Sequence, residues 1–358
     1  MTSPEGISGP DWSGVQVASS IPAVTSGLNG IILAAGFEER SCAWLKEGRF
    51  HQDARCVLIR FRNNVPGNGK VFDQYVALAK ERFAPEAIHV VELHQDAPNR
   101  MENELGGLLA SLPRSVVRLG VDISGMPSYA ACMALKSTRF VRNQHPMTVL
   151  YTAAKQYNPT FSQYRKLIAK QGGDIELLPD PMALEMRETL ILDSFSGYRS
   201  QNAKTCLAIM TGYEAHRSTG VVDTVNPSLL LLLYGNPGAP ELQWRLDLSR
   251  RLHRKFEKGR RTADTVVSTL HFQEALSALE TFYDKLIDDY DLVISPIGSK
   301  MQTLATYLFW ERYPEVQLNF PLPIGYDPKR RPTGTGHSFH VEIEPRQSLF
   351  KNAWPTSA

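Results

Sequence analysis

Cysteine is scarce in this sequence, and the four present are Cys42, Cys56, Cys132 and Cys206. None stands in a CxxC, and no paired spacing suggests zinc, so no metal is expected. Cys56 and Cys206 each open an apolar, strand-like run, which reads as buried thiol in a reducing compartment. An excess of charge of one sign is missing too: 39 basic against 37 acidic residues leave +2, too balanced by itself to argue for a nucleic-acid or membrane partner. The apolar run Leu229 to Tyr234 is far too short to span a bilayer. The opening MTSPEGISGPDWSG lacks a basic stretch followed by an apolar core, so it does not read as a signal peptide. A cytoplasmic location without membrane attachment is expected. Gly30–Gly36 lacks the GxGxxG fingerprint, no Walker A sequence occurs, and the nine histidines show no HExxH spacing. No cofactor is therefore expected.

What is present is an ordinary globular composition, 42% hydrophobic and 21% charged, over a length that favours two domains. Apolar strand-like runs alternate with helical periods. Strands are expected at Gly30–Ala35, Arg55–Phe61, Ala87–Leu93, Val116–Ile123 and Met147–Ala153. Helices are expected at Val71–Phe83, at Asn99–Leu112 with Asn99 as cap, and at Ser128–Val141. The stretch 160–200 breaks the pattern, with a helix-like piece near Gln163–Lys170, the turn Pro179–Asp180–Pro181 and a strand candidate Glu188–Leu192. The pattern then restarts with strands Cys206–Met210, Ser228–Tyr234, Asp291–Ile294 and Glu315–Phe320, and helices Glu241–Phe256, Phe272–Tyr290 and Ser299–Arg312. Repeated β-then-α units imply a parallel sheet covered on both faces. The expected fold is α/β, a tandem duplication of a Rossmann-like parallel-sheet unit in a pseudo-twofold arrangement. Its divisions are a flexible lead-in 1–28, a first unit 29–160, a connector 161–202, a second unit 203–345 and a tail 346–358.

Duplication is read from loops more than from strands. Gly36-Phe37-Glu38-Glu39-Arg40-Ser41 follows the first strand, and Gly212-Tyr213-Glu214-Ala215-His216-Arg217-Ser218 answers it in the second half. Asp122-Ile123-Ser124-Gly125-Met126-Pro127-Ser128 is matched by Val293-Ile294-Ser295-Pro296-Ile297-Gly298-Ser299, which pairs Ser124 with Ser295 and Ser128 with Ser299. Tyr157-Asn158-Pro159 matches Tyr326-Asp327-Pro328. Any two α/β units share apolar runs, but chance does not supply Glu and Arg at corresponding loop positions. All these loops follow strand carboxyl ends, the edge where open parallel sheets bind ligands.

Two readings stand for each loop. Arg40 and Arg217 can hold a phosphate while Glu38 and Glu214 accept from a ribose or a base, or each Glu–Arg pair fixes its own loop. Ser128 and Ser299 cap helices, and the same helix starts suit an anion, with Lys300 adding charge where the first copy has Tyr129. Arg245, Arg250, Arg251, Arg254, Lys255, Lys258, Arg260 and Arg261 crowd one helix and its end, which usually marks a solvated face. Lys329 to His337 reads either as a phosphate-wrapping loop or as a mobile surface loop. Asp122 stands at a strand end, as general acid–base residues often do, or as a buried structural carboxylate.

Asp122-Ile123-Ser124-Gly125 and Ile294-Ser295-Pro296-Ile297-Gly298-Ser299-Lys300-Met301 resemble the signature loop of CRISPR-associated Rossmann-fold (CARF) sensor domains. The tandem copy is similar to the related SAVED sensors, which fuse two such units. That resemblance implies a cyclic oligonucleotide ligand and a role in bacterial antiviral defence, with output through an effector protein partner. Its ligand-contacting set here comprises Gly36, Glu38, Arg40, Ser124, Ser128, Tyr157, Gly212, Glu214, Arg217, Ser295, Ser299, Lys300 and Tyr326. The alternative is a nucleotide-processing enzyme, a hydrolase or N-glycosidase, in which Glu38, Glu214 or Asp122 acts as general acid–base. A nucleic-acid partner and a purely structural scaffold both remain open.

Overall fold

A computed structural model of the chain describes residues 12–62, 68–171, 175, 178, 181–200, 204–258 and 260–345. The tail 346–358, residues 1–11 of the lead-in and part of the Pro179–Pro181 turn lie outside the described residues. The chain divides into two compact units. One comprises Met1–Met126, Met133–Ala154 and Thr335–Ala358, and the other Pro127–Cys132 and Lys155–Gly334.

In the first unit, strands β1 (Gln16–Val17), β2 (Gly30–Ala34), β3 (Arg55–Arg62), β4 (Ile88–His94), β5 (Leu119–Asp122) and β6 (Met147–Gln156) alternate with helices. These are α1 (Ile21–Thr25), α2 (Ala43–Glu47), α3 (Asn68–Lys80), α4 (Pro98–Ser111) and α5 (Ser128–Val141). The strands β6-β5-β2-β3-β4 run in that spatial order, all parallel. Every residue of β2 is buried, as a central parallel strand covered on both faces requires. One of its faces packs Ile31 and Leu33 against Trp44, Leu45, Phe72 and Tyr75. Each buried aliphatic chain contributes about 1.5–3 kcal/mol. Proline opens α4: Ala97 occupies the cap position without a side-chain bond, and Pro98, having no N–H to satisfy, takes the first turn. Asn99, expected as the cap, is therefore inside the helix.

Beyond α6 (Phe161–Gln171), the second unit repeats the plan. Its strands are β7 (Met186–Leu190), β8 (Lys204–Met210), β9 (Leu229–Asn236), β10 (Thr262–Ser268), β11 (Tyr290–Pro296), β12 (Gln317–Leu318) and β13 (Phe320–Pro323). Its later helices are α7 (Ala215–Val225), α8 (Gln243–His253), α9 (Phe272–Leu286) and α10 (Lys300–Arg312). The order β10-β9-β8-β11-β12 is again all parallel, while β7 and β13 form a separate antiparallel pair. Counted by first appearance within its unit, each parallel sheet has the order 3-2-1-4-5, the strand order of the Rossmann class.

Three segments differ from the sequence expectation. The strand read as Glu315–Phe320 is divided at Asn319, and its two halves join different sheets. Glu241–Phe256, read as one helix, is α8 flanked by short 3-10 helices at Pro240–Leu242 and Arg254–Glu257. The Gly- and His-containing end of the segment read as a basic loop, Lys329–His337, is strand: β14 (Thr333–Ile343) borders β6 in the first sheet and pairs antiparallel with β1. Alternating exposed and buried residues along β14 show a strand with one solvated face, which its glycines concealed.

Candidate functional site

In an order 3-2-1-4-5 the chain reverses direction across the sheet between strands 1 and 4. The crevice at their carboxyl ends is the ligand edge of such folds. Those strands are β2 and β5 in one unit, and β8 and β11 in the other, so the matched sequence loops stand at this edge in both units.

In the first unit Gly36 and Gly125 bring the two loops together. A Cβ on Gly36 would lie 3.2 Å from both the Cα and the carbonyl oxygen of Gly125, so a side chain there would press the two loops apart by a few tenths of an ångström. The Gly36 carbonyl accepts the Tyr75 hydroxyl of α3 at 3.2 Å. Glu38 and Arg40 form an ion pair, Oε2 to Nε, at 2.6 Å. Arg40 is buried, and its NH1 donates to the Thr152 carbonyl of β6 at 2.8 Å. From the fourth strand's loop, the Ser124 hydroxyl accepts the Thr152 N–H at 2.8 Å. Arg40 and Ser124 thus both bond the main chain of Thr152 in the fifth strand, with Glu38 held on Arg40, which locks the loops rather than leaving the guanidinium open. Asp122 lies fully buried beside them. Burial pushes its carboxyl up to about 7, against hydrogen bonds from Ser124 and the charge of Arg40, which pull it down. Its Oδ1 accepts the Ser124 N–H, and its Oδ2 has no partner among the described residues.

Corresponding bonds recur in the second unit. Ser249 of α8 donates to the Gly212 carbonyl at 3.3 Å. Glu214 Oε2 pairs with Arg217 NH1 at 3.1 Å, and its Oε1 accepts the Ala183 N–H. Arg217 NH2 donates to the Pro321 carbonyl at 3.1 Å. The Ser295 hydroxyl donates to the Asn319 carbonyl at 2.9 Å. Serine here reaches the backbone just past the fifth strand, while arginine reaches that of β13. Arg217 Nε is buried without a partner among the described residues. Below this loop His253 is fully buried. Its Nδ1 lies 2.8 Å from the Ser249 carbonyl, which can only accept, so that nitrogen carries the proton. Nε2 then accepts the Ser218 hydroxyl at 2.9 Å. Burial holds this imidazole down at about 4, so it is a neutral structural group near pH 7.

Ser299 is the cap of α10 and forms a full capping box with Gln302. Its hydroxyl also donates to the Thr269 carbonyl at 2.7 Å. Lys300 opens the helix and is half-buried. Ser128 opens α5, whose first turn counts with the second unit. There its hydroxyl donates to the Pro296 carbonyl at 3.0 Å and accepts from Thr303. The Tyr157 carbonyl accepts Arg245 NH2 at 2.9 Å, and the Arg245 guanidinium lies 5.6 Å from the ring of Tyr213 in the second unit's loop. Tyr326 forms an isolated bridge with Ala183. Thr152, Asn319, Pro321, Tyr75 and Ser249 complete the two locks, and sequence matching does not find them. Three are bonded through backbone, and Tyr75 and Ser249 differ in type between the units. Among the described residues no cluster of three or more His, Cys, Asp or Glu is arranged to hold a metal ion. No helix among them is long and apolar enough to cross a membrane.

No protein-family model matches the chain, and no curated protein matches it. Among solved structures, a Type III CRISPR defence DNA nuclease activated by cyclic oligoadenylate matches at 11% identity, over 83% of this chain and 67% of that one, with a TM-score of 0.47. A periplasmic ribose ABC transporter protein from Conexibacter woesei matches at 13% identity, over 73% of this chain and 71% of that one, with a TM-score of 0.21.

Proposed function

We propose that this chain is a nucleotide-binding sensor, with a cyclic oligonucleotide as its ligand class, a place in antiviral defence and output through a partner protein. One observation carries the reading. Two parallel sheets of the same strand order place matched loops at the edge where such sheets bind ligands. The two units arose, in this reading, by duplication of one ancestor. The recurrence of the Gly, Glu–Arg and Ser bonds supports that, because strand patterning alone does not dictate them. The locks make the loops rigid before binding, which lowers the ordering cost of taking a ligand. Phe37, Glu39, Gly298 and Lys300 stand at the rims, half-buried or exposed. A hydrolytic reading needs a carboxylate open to substrate. Glu38 and Glu214 are held in ion pairs and Asp122 is buried, so these carboxylates favour binding over catalysis.

Isothermal titration against cyclic di-, tri- and tetranucleotides tests the proposal. Saturable heat with at least one of them is the expected result, weakened at least tenfold by Lys300→Glu. Absence of heat with every member of the panel, from protein shown to be folded, refutes it. Recovery of a linear or hydrolysed product would move the assignment to the enzyme class.

A further inference from the structure

The basic residues of the second unit are unevenly placed. Segments 161–171 and 243–261 together hold eleven lysines and arginines against two carboxylates, Asp247 and Glu257, in a chain whose net charge is only +2. The rest of the chain is therefore acidic on balance. These cations flank a cluster of rings between α6 and α8. Tyr164 and Trp244 have centroids 5.0 Å apart at 31°. Phe161 stacks on Tyr164 at 6.2 Å and 28°, and lies 5.7 Å from Trp244. Phe161, the first residue of α6, keeps 53% of its surface open.

The cluster is fixed from behind. The Arg245 guanidinium lies 4.6 Å from the Trp244 ring centroid and donates to the carbonyls of Tyr157 and Pro159. Tyr164 donates its hydroxyl to Asp247 Oδ2 at 2.6 Å, and the same oxygen takes Arg251 Nε at 2.7 Å. From Trp244 the positions of Asp247, Arg251 and Arg254 follow at steps of three, four and three. These steps place them on one helix face over about 15 Å. Arg254 and Lys255 are exposed at its far end, and Arg165 follows Phe161 by one turn of α6, also exposed.

We propose that this face of the second unit binds single-stranded nucleic acid with little sequence preference. A base stacks on the open ring of Phe161, and the cations of α6 and α8 track the phosphates, the pairing of ring and charge used by proteins that hold unpaired strands. An anionic lipid surface would use the charge but would have no planar partner for the ring. The proposal stands on residues outside the strand-edge loops, so it survives or fails independently of the nucleotide-sensor reading.

Fluorescence anisotropy of a labelled 20-nucleotide oligo(dT), titrated with the whole protein at 50 and 200 mM salt, is the test. Binding that weakens with salt is expected, with a logarithmic slope of about −0.7 per phosphate neutralised. Phe161→Ala is expected to weaken binding about tenfold and to leave that slope unchanged. The pair Arg254→Glu and Lys255→Glu is expected to weaken binding and to make the slope shallower by about 1.4. Circular dichroism melts confirm that each variant is folded. The proposal is overturned by no binding at 50 mM salt, or by a Phe161→Ala variant that binds like the parent. Binding to phosphatidylserine vesicles that excess oligonucleotide does not displace overturns it as well.

Discussion

The two strand-edge loops are held by the same kind of bonds, but they enclose opposite buried chemistry. Near the first lies Asp122, a carboxyl lifted by burial to about 7. At the corresponding position the second has Val293, and its buried titratable group is instead His253, held down at about 4. One strand order therefore carries an acid in one unit and a base in the other, each shifted by desolvation toward its neutral form. The recurring bonds are common to both units, whereas the buried titratable groups differ.

Breaking the lock should give the largest effect. Arg40→Ala leaves Glu38 and the Thr152 carbonyl without their cation, at a cost of about 3–5 kcal/mol. Arg217→Ala is expected to cost less, about 1–3 kcal/mol, because its ion pair is more open, with side-chain exposures of 15% and 18% against 5% and 14%. Urea unfolding of the two variants measures the difference, and equal losses would contradict it.

The pH responses sharpen the contrast. Asp122 has a folded value above its ordinary 3.8. Its contribution is full below that value and is lost as pH rises through about 7, by up to about 4 kcal/mol. Asp122→Asn should remove this loss, so the variant should gain on the parent between pH 4 and 8 in unfolding midpoint. His253 has the opposite sign. Its folded value lies below 6.5, so its contribution is present above 6.5 and is lost as pH falls through about 4, by about 3 kcal/mol. His253→Gln should flatten the acid limb alone. A parent stability curve without either limb would remove the contrast.

The smallest effect concerns the paired serines. Ser124→Ala orphans the buried Thr152 N–H, and Ser295→Ala orphans the Asn319 carbonyl, each at about 1–2 kcal/mol. Near-equal losses in denaturant unfolding are expected if the two hydroxyls play one role. A loss confined to one copy would separate them.

Much of this was legible in the sequence. Strands that run apolar on both faces, such as β2 and β9, declare themselves by composition, and Ser128–Val141 is helical at the expected bounds. The recurrence of Gly36, Glu38 and Arg40 in Gly212, Glu214 and Arg217 marked the loops. β10 was not legible, because Thr262–Ser268 borders a single neighbour, β9, and keeps polar residues along one side. Nor was α7, whose residues Ala215–Val225 include Gly220 and three β-branched valines that lower helix propensity. The partners of the locks were hidden for a different reason. A backbone carbonyl has no sequence signature, and Tyr75 and Ser249 do one job with unrelated side chains.

Hydrogen exchange with and without a saturating cyclic oligonucleotide tests the central claim most directly. Slowed exchange in 36–41 and 122–126, and also in 211–218 and 296–300, is the expected result. Unchanged exchange in all four segments at a concentration that saturates binding would contradict it.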